Sequence, residues 1–231
     1  MYPWLVALIK GSSRLFCGGS LLSSTYVLTA AHCVVNMKKS DFRVNAHEHN
    51  LLKYDGEVEY YVKTIYIHPL FANPGNQDYS YGNGDGDFAL LQLESPVIKK
   101  GQRYICLPSP GNRYTSTQAI TAGWGLDETG RTPDIPRHVG LVTITNQECQ
   151  GKMVRTITDN MICATYKGQG EFASACPGDS GSPLMVGETI IGVASIAQGC
   201  KPIIKGRPTV FARVTSQLTW IKKYVTNACT G

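Results

Sequence analysis

Asp87-Phe88-Ala89-Leu90-Leu91-Gln92-Leu93 is a short apolar run opened by an acid and fed by a segment rich in glycine and asparagine, residues 73–86. A run of this length next to turn-forming residues reads as a strand. Similar runs recur at residues 4–9, 20–28, 58–66, 118–122, 139–144, 189–196 and 209–214. Regular short strands between Gly/Pro turns predict an all-β sandwich or barrel. Only residues 216–226 carry a helical period. There Leu218, Ile221 and Val225 fall three and four apart and place one apolar stripe on one face.

The 231 residues suffice for one large domain or two small ones around a sizeable core. A net charge of +5 would suit nucleic acid or anionic glycans, but no Lys/Arg run exceeds two residues. The basic residues therefore read as a solvated surface, and no nucleic-acid partner is expected. No apolar run approaches the ~18 residues of a membrane span, so no membrane association is expected. Residues 5–9 are too short for a signal core and read as a strand. Eight cysteines could pair in 105 ways, and spacing alone does not choose. No Cys-x-x-Cys pair is present, which disfavours a cysteine metal site.

The chemistry concentrates in three places. Ala175-Cys176-Pro177-Gly178-Asp179-Ser180-Gly181-Ser182-Pro183 sets a serine between glycines, with an acid before it. Such a turn can aim the Gly178 and Ser180 N–H groups into one concavity and bind a developing oxyanion. Taken alone, a Gly-x-Ser-Gly stretch is more often a plain turn. Thr29-Ala30-Ala31-His32-Cys33 supplies a base of near-neutral pKa. A buried Asp87 at the start of its strand could hold that imidazole in the right tautomer.

In this order, His32, Asp87 and Ser180, the chain resembles the trypsin/chymotrypsin-like serine proteases. Pro3-Trp4, Cys17-Gly18-Gly19-Ser20-Leu21, Thr29-Ala30-Ala31-His32-Cys33, Gly123-Trp124-Gly125, Gly178-Asp179-Ser180-Gly181 and Pro208-Thr209-Val210-Phe211-Ala212-Arg213-Val214 carry the resemblance. It implies two six-stranded antiparallel β-barrels with a C-terminal α-helix, an N-terminal barrel over about 1–107 and a C-terminal barrel and helix over about 114–231. The site would lie between the barrels, with His32, Asp87 and Ser180 catalytic and Gly178 and Ser180 forming the oxyanion hole. The resemblance also implies disulfides Cys17–Cys33, Cys149–Cys163 and Cys176–Cys200, hence a secreted protein. Cys106 pairs either with Cys229 or with a propeptide cysteine. Protein or peptide substrates, protein protease inhibitors, a monomeric state and no required cofactor are implied as well.

The resemblance places Ser174 at the floor of the specificity pocket, with Ser195, Ala197 and Thr209 on its walls. A serine floor gives Arg or Lys no counter-charge, and side chains at Ala197 and Thr209 narrow the pocket as in the elastases. Small or medium aliphatic residues are then expected before the scissile bond. If Thr209 turns aside, the expectation is aromatic. Residues 73–86 are longer than usual and read either as a plain insertion or as a lid contributing Tyr79 and Tyr81. Glu48, Asp55 and Glu57 flank a loop that binds Ca²⁺ in several members. Here it is one residue short, so it reads as a structural Ca²⁺ site or as a solvated acidic loop. Active members pair a freed N-terminal ammonium with the acid before the nucleophile, here Asp179. The chain opens at Met1-Tyr2-Pro3-Trp4, so a fragment or a zymogen-like form of low activity is expected. The alternative function is a catalytically silent homologue that only binds.

Overall fold

A computed structural model describes residues 2–12, 14–71, 85–127, 129–168, 174–196 and 208–231. The first sheet holds β1 (Leu5–Lys10), β2 (Arg14–Leu21), β3 (Tyr26–Thr29), β4 (Phe42–Ala46), β5 (Val58–Tyr60), β6 (Val62–Ile67) and β7 (Ala89–Leu93). Their spatial order is β5-β4-β1-β2-β3-β7-β6. The two outermost strands, β5 and β6, are separated in sequence by Tyr61 alone. One bent run thus pairs with β4 at its start and β7 at its end, so the sheet curls round on itself. Counting β5 and β6 as that single run reconciles the seven strands seen with the six expected.

The second sheet holds β8 (Gln118–Gly123), β9 (Arg137–Ile144), β10 (Met161–Thr165), β11 (Pro183–Val186), β12 (Thr189–Ile196) and β13 (Thr209–Arg213). It is a closed barrel in the order β10-β13-β12-β11-β8-β9, with β9 returning to β10. Closure removes the unpaired edges that would otherwise invite aggregation. Three helices, α1 (Ala31–Val34), α2 (Asn146–Gln150) and α3 (Leu218–Tyr224), are short, and none among the described residues is long and apolar enough to cross a membrane.

The fold is nearly all-β, as expected, with local differences. The run at 20–28 is two strands, because the chain turns after Leu21 and Leu22 N–H bonds the Tyr26 carbonyl at 2.9 Å. β4, β10, β11, α1 and α2 were not expected. β10 is buried at all five positions, so it lacks the alternation that marks a half-exposed strand. α2 did carry a signal. Thr145 caps it and Glu148 answers in a reciprocal capping box, the Thr-x-x-Glu pattern of a helix start. α3 is shorter than residues 216–226, because Val214–Gln217 forms a 3₁₀ turn before it.

The main core joins both sheets: Leu8, Leu28 and Leu90 share one buried cluster with Trp124, Met185 and Ile221. α3 follows the second barrel yet packs on the first. Tyr224 stacks against Tyr66 at 4.3 Å between ring centroids, and Trp220 meets His68 at 4.8 Å. Disulfides Cys17–Cys33 and Cys149–Cys163 match the expected pairs, and the partner of Cys106 is Cys229. That bridge joins the inter-sheet segment to the C-terminal tail, where Leu107 N–H bonds the Cys229 carbonyl at 2.7 Å. Cys176 is also disulfide-bonded, and its expected partner Cys200 lies outside the described residues.

Candidate active site

His32 sits on α1, one residue from the Cys17–Cys33 bridge that ties α1 to β2. Asp87, just before β7, is 2% exposed. Its carboxylate accepts three hydrogen bonds, from His32 N–H at 2.9 Å, from His32 Nδ1 at 2.7 Å and from Ser195 Oγ at 2.6 Å. The first two fix both the backbone and the ring of one histidine. The third comes from β12 of the other barrel. With Nδ1 protonated against Asp87, Nε2 is left as the acceptor nitrogen. Burial lowers the His32 pKa, but the Asp87 charge and hydrogen bond outweigh it, and the net shift is upward.

Ser180 is half-buried in the loop before β11. Gly18 N–H donates to the Ser180 carbonyl at 2.8 Å, Thr29 Oγ1 holds the Gly18 carbonyl at 2.7 Å, and Gly181 N–H bonds the Ala194 carbonyl at 2.8 Å. The loop is therefore clamped between β2 of the first barrel and β12 of the second, beside the segment leading into His32. Among the described residues no hydrogen bond joins Ser180 Oγ to His32 Nε2, whose one polar contact is Cys33 Sγ at 3.8 Å. Such bonds are commonly loose until substrate binds. Cys17, His32 and Cys33 lie close together, but the disulfide withholds both thiolates from any metal.

Gly178 has φ +100°, which a side chain would oppose. Leu126 N–H bonds the Pro177 carbonyl at 2.9 Å and so orients the peptide preceding Gly178. Among the described residues, neither Gly178 N–H nor Ser180 N–H is spent on a backbone carbonyl. Asp179 turns away from Ser180 and accepts the backbone N–H groups of Gly125 at 2.8 Å and Cys176 at 2.9 Å. A Cβ on Gly125 would overlap this carboxyl group. That explains a glycine of the Gly123-Trp124-Gly125 motif whose reason the sequence alone does not disclose. Burial raises the Asp179 pKa, against the pull of its two backbone bonds. Asp179, Gly125 and Ser174 line a cavity of about 470 Å³ next to the Ser180 loop.

The family model described as Trypsin matches residues 1–221. The chain belongs to the trypsin family. Ovochymase-2 of Mus musculus is 34% identical to it over 246 residues, which cover 97% of this chain and 39% of that protein. Vitamin K-dependent protein C of Mus musculus is 32% identical over 240 residues, and that of Rattus norvegicus 30%, each covering 96% of this chain and 49% of the relative. The chain thus spans half or less of the length of these relatives.

Of the residues expected in the specificity pocket, Ser174 and Ser195 are half-buried and Thr209 is buried on β13, opposite Ala164. Ala197, like Tyr79 and Tyr81 of the expected lid, lies outside the described residues. The carboxylates of Glu48, Asp55 and Glu57 converge, each within 4.8 Å of the others. Asn50 N–H donates to Asp55 and Asp55 N–H to Glu57, while Glu48 Oε1 is buried without a partner. Burial, and then the charges of Glu57 and Asp55, push the Glu48 pKa up against its bond to Asn45. Convergent oxygens with one unsatisfied suit a hard cation such as Ca²⁺.

Proposed function

We propose that this chain is a secreted serine endopeptidase that hydrolyses protein or peptide substrates through an acyl-enzyme. The observation that carries this reading is the His32–Asp87–Ser195 arrangement. A single buried carboxylate fixes the imidazole's tautomer and orientation, and the clamped Ser180 loop lies beside the segment that leads into His32. Ser180 Oγ attacks the scissile carbonyl carbon while His32 Nε2 takes its proton, and Asp87 stabilises the imidazolium. Negative charge builds on the carbonyl oxygen, where the N–H groups of Gly178 and Ser180 receive it. His32 returns the proton to the departing amine as the C–N bond breaks. Water then attacks the ester by the same route and frees Ser180. Asp179 receives the ammonium of a freed upstream terminus, which orders the oxyanion hole.

Ser174 would bring no charge to the pocket floor, and side chains at Thr209 and Ala197 in place of glycine would narrow its walls. The acyl side therefore selects small and medium aliphatic residues. Protein protease inhibitors are the expected protein partners, acting on a monomer. Glu48, Asp55 and Glu57 would hold a structural Ca²⁺, whose service is to neutralise three crowded carboxylates. Millimolar Ca²⁺ should raise Tm, and Glu48→Gln should abolish that rise. An equal rise in the variant would remove the site.

A fluorophosphonate probe tests the central claim, applied to residues 1–231 and to a form extended upstream and cleaved to free an Ile or Val. Labelling at Ser180, with turnover falling on the order of 10⁶ in Ser180→Ala, is expected. A processed form that neither labels nor cleaves would leave only a binding role. A peptide-library profile dominated by Arg or Lys would overturn the floor argument, and one dominated by Phe or Tyr the wall argument.

A further inference from the structure

Ser182 lies two residues beyond Ser180 and is completely buried, at 0% exposed. Its backbone is fully engaged. Its N–H donates to the Asp179 carbonyl and its carbonyl accepts from Ala194 N–H, both at 2.9 Å. Its hydroxyl is not engaged: Ser182 Oγ is sealed from solvent with no hydrogen-bond partner. Such an unpaired hydroxyl costs stability that an alanine would not. Most buried polar side chains are paired, so this one calls for a reason.

The surroundings of the hydroxyl supply one. It faces Gly18 of β2, where a Cβ would overlap it, and Gly123 at the end of β8, where a Cβ would lie 2.9 Å away. The same Cβ on Gly123 would overlap Asp179 Oδ1. The hydroxyl and the carboxyl group are therefore neighbours in the space that Gly123 leaves open. Among the described residues Asp179 Oδ1 accepts one hydrogen bond, from Gly125 N–H, and Oδ2 accepts one, from Cys176 N–H. A carboxylate oxygen has room for two. A buried donor without an acceptor thus adjoins a buried carboxylate with acceptor sites to spare. The cavity of about 470 Å³ is lined by Gly123, Gly125 and Asp179 but not by Ser182. A group that reaches Asp179 through the cavity does not displace the hydroxyl.

We propose that Ser182 is a positioning residue whose hydroxyl donates to Asp179 when that carboxylate pairs with the ammonium of a freed upstream terminus, and so helps hold the oxyanion loop in its working shape. The inference rests on the ammonium reading given above and adds to it a residue of this chain. The physical reason is charge. Hydrogen bonds to an ionised acceptor are roughly twice as strong as neutral ones. Burial pushes the Asp179 carboxyl group towards its neutral form, which has little need of a third donor. An ammonium fixes it as an anion, and the third donor then counts. The hydroxyl is destabilising in the unprocessed chain and stabilising in the processed one.

The test uses the processed protein. Its new α-amino group is probed with acetic anhydride, and acetylation at that terminus is followed by peptide mass mapping. An ammonium buried against Asp179 reacts slowly, so the rate reports the ion pair and not turnover. Asp179→Asn is the reference and should unmask the terminus. Ser182→Ala should speed acetylation roughly tenfold or more and lower kcat/KM in proportion. Ser182→Gly, which also lacks the hydroxyl, should do the same. In an Asp179→Asn background Ser182→Ala should add nothing, because the two residues act through one bond. In the unprocessed chain Ser182→Ala should keep or raise Tm, since an unsatisfied hydroxyl is removed. Slow, parent-like acetylation in both Ser182 variants, with Asp179→Asn unmasked, would overturn the role of Ser182 and leave the ammonium reading standing. A Ser182→Ala effect of the same size with and without Asp179 would likewise overturn it. A terminus no more reactive in Asp179→Asn than in the parent would overturn the ammonium reading, and the role of Ser182 with it.

Discussion

Asp87 belongs to the first barrel, where it holds His32, and Asp179 to the second, where it directly precedes Ser180. Asp87 accepts two bonds from one histidine and one from a serine across the barrel interface. Asp179 accepts two backbone N–H groups from its own barrel, and burial pushes its pKa up. A carboxylate taken from water must recover its lost solvation from fixed donors or opposite charge. Asp87 recovers it from a ring that can itself become cationic, so its charge is coupled to proton transfer. Asp179 recovers it from dipoles alone, so its charge is open to pairing with a cation. In the proposed mechanism one acid serves the reaction step by step, and the other serves the shape of the loop.

Asp87→Asn should produce the largest separation between the two. It removes the acceptor that fixes the ring tautomer, and kcat should fall about 10⁴-fold. The pH profile should move as well. His32 must be neutral to act, so parent activity is lost as pH falls through its raised pKa. Without the Asp87 charge and bond only the lowering effect of burial remains, and that limb should shift to lower pH. A limb that stays in place would mean that Asp87 does not set the His32 titration.

Asp179→Asn should cost less. Loss of a buried charged partner is worth about 3–5 kcal/mol, so kcat/KM of the processed form should fall on the order of 10²–10³ with the acid limb unmoved. A shifted limb would erase the distinction between the two acids. Ser195→Ala removes one of the three Asp87 bonds. Hydrogen bonds to charged groups contribute about 1.5–3 kcal/mol, and Tm should drop while kcat falls roughly tenfold, both measurable in one preparation. The smallest effect is expected from Gly125→Ala, whose Cβ crowds the Asp179 carboxyl group. Overpacking costs about 1–3 kcal/mol, seen as a lower Tm and a modest loss in kcat/KM. An unaltered Tm would show that the carboxyl group can swing clear.

The two-sheet fold and the His32–Asp87 pair were legible because their signals are local. His32 lies in Thr-Ala-Ala-His-Cys, Ser180 in Gly-Asp-Ser-Gly, and Asp87 opens an apolar strand. The run at 58–66 read as one strand, because a one-residue break at Tyr61 is invisible to composition. β10 escaped because complete burial erases alternation, whereas α2 was marked by its capping box and could have been found.

By itself, then, the sequence determined strand-forming runs, the order of the chemical groups and the residues at which the backbone must turn. These depend on neighbours a few positions apart, where periodicity and stereochemistry act. Only the tertiary structure decided that Cys106 bonds Cys229, that Ser195 of one barrel bonds Asp87 of the other, that Gly125 makes room for Asp179, and that Ser182 faces Gly18. Each joins residues dozens of positions apart. Such contacts are selected by how two curled sheets and one returning helix pack around a shared core, a geometry that no local stretch of the chain encodes.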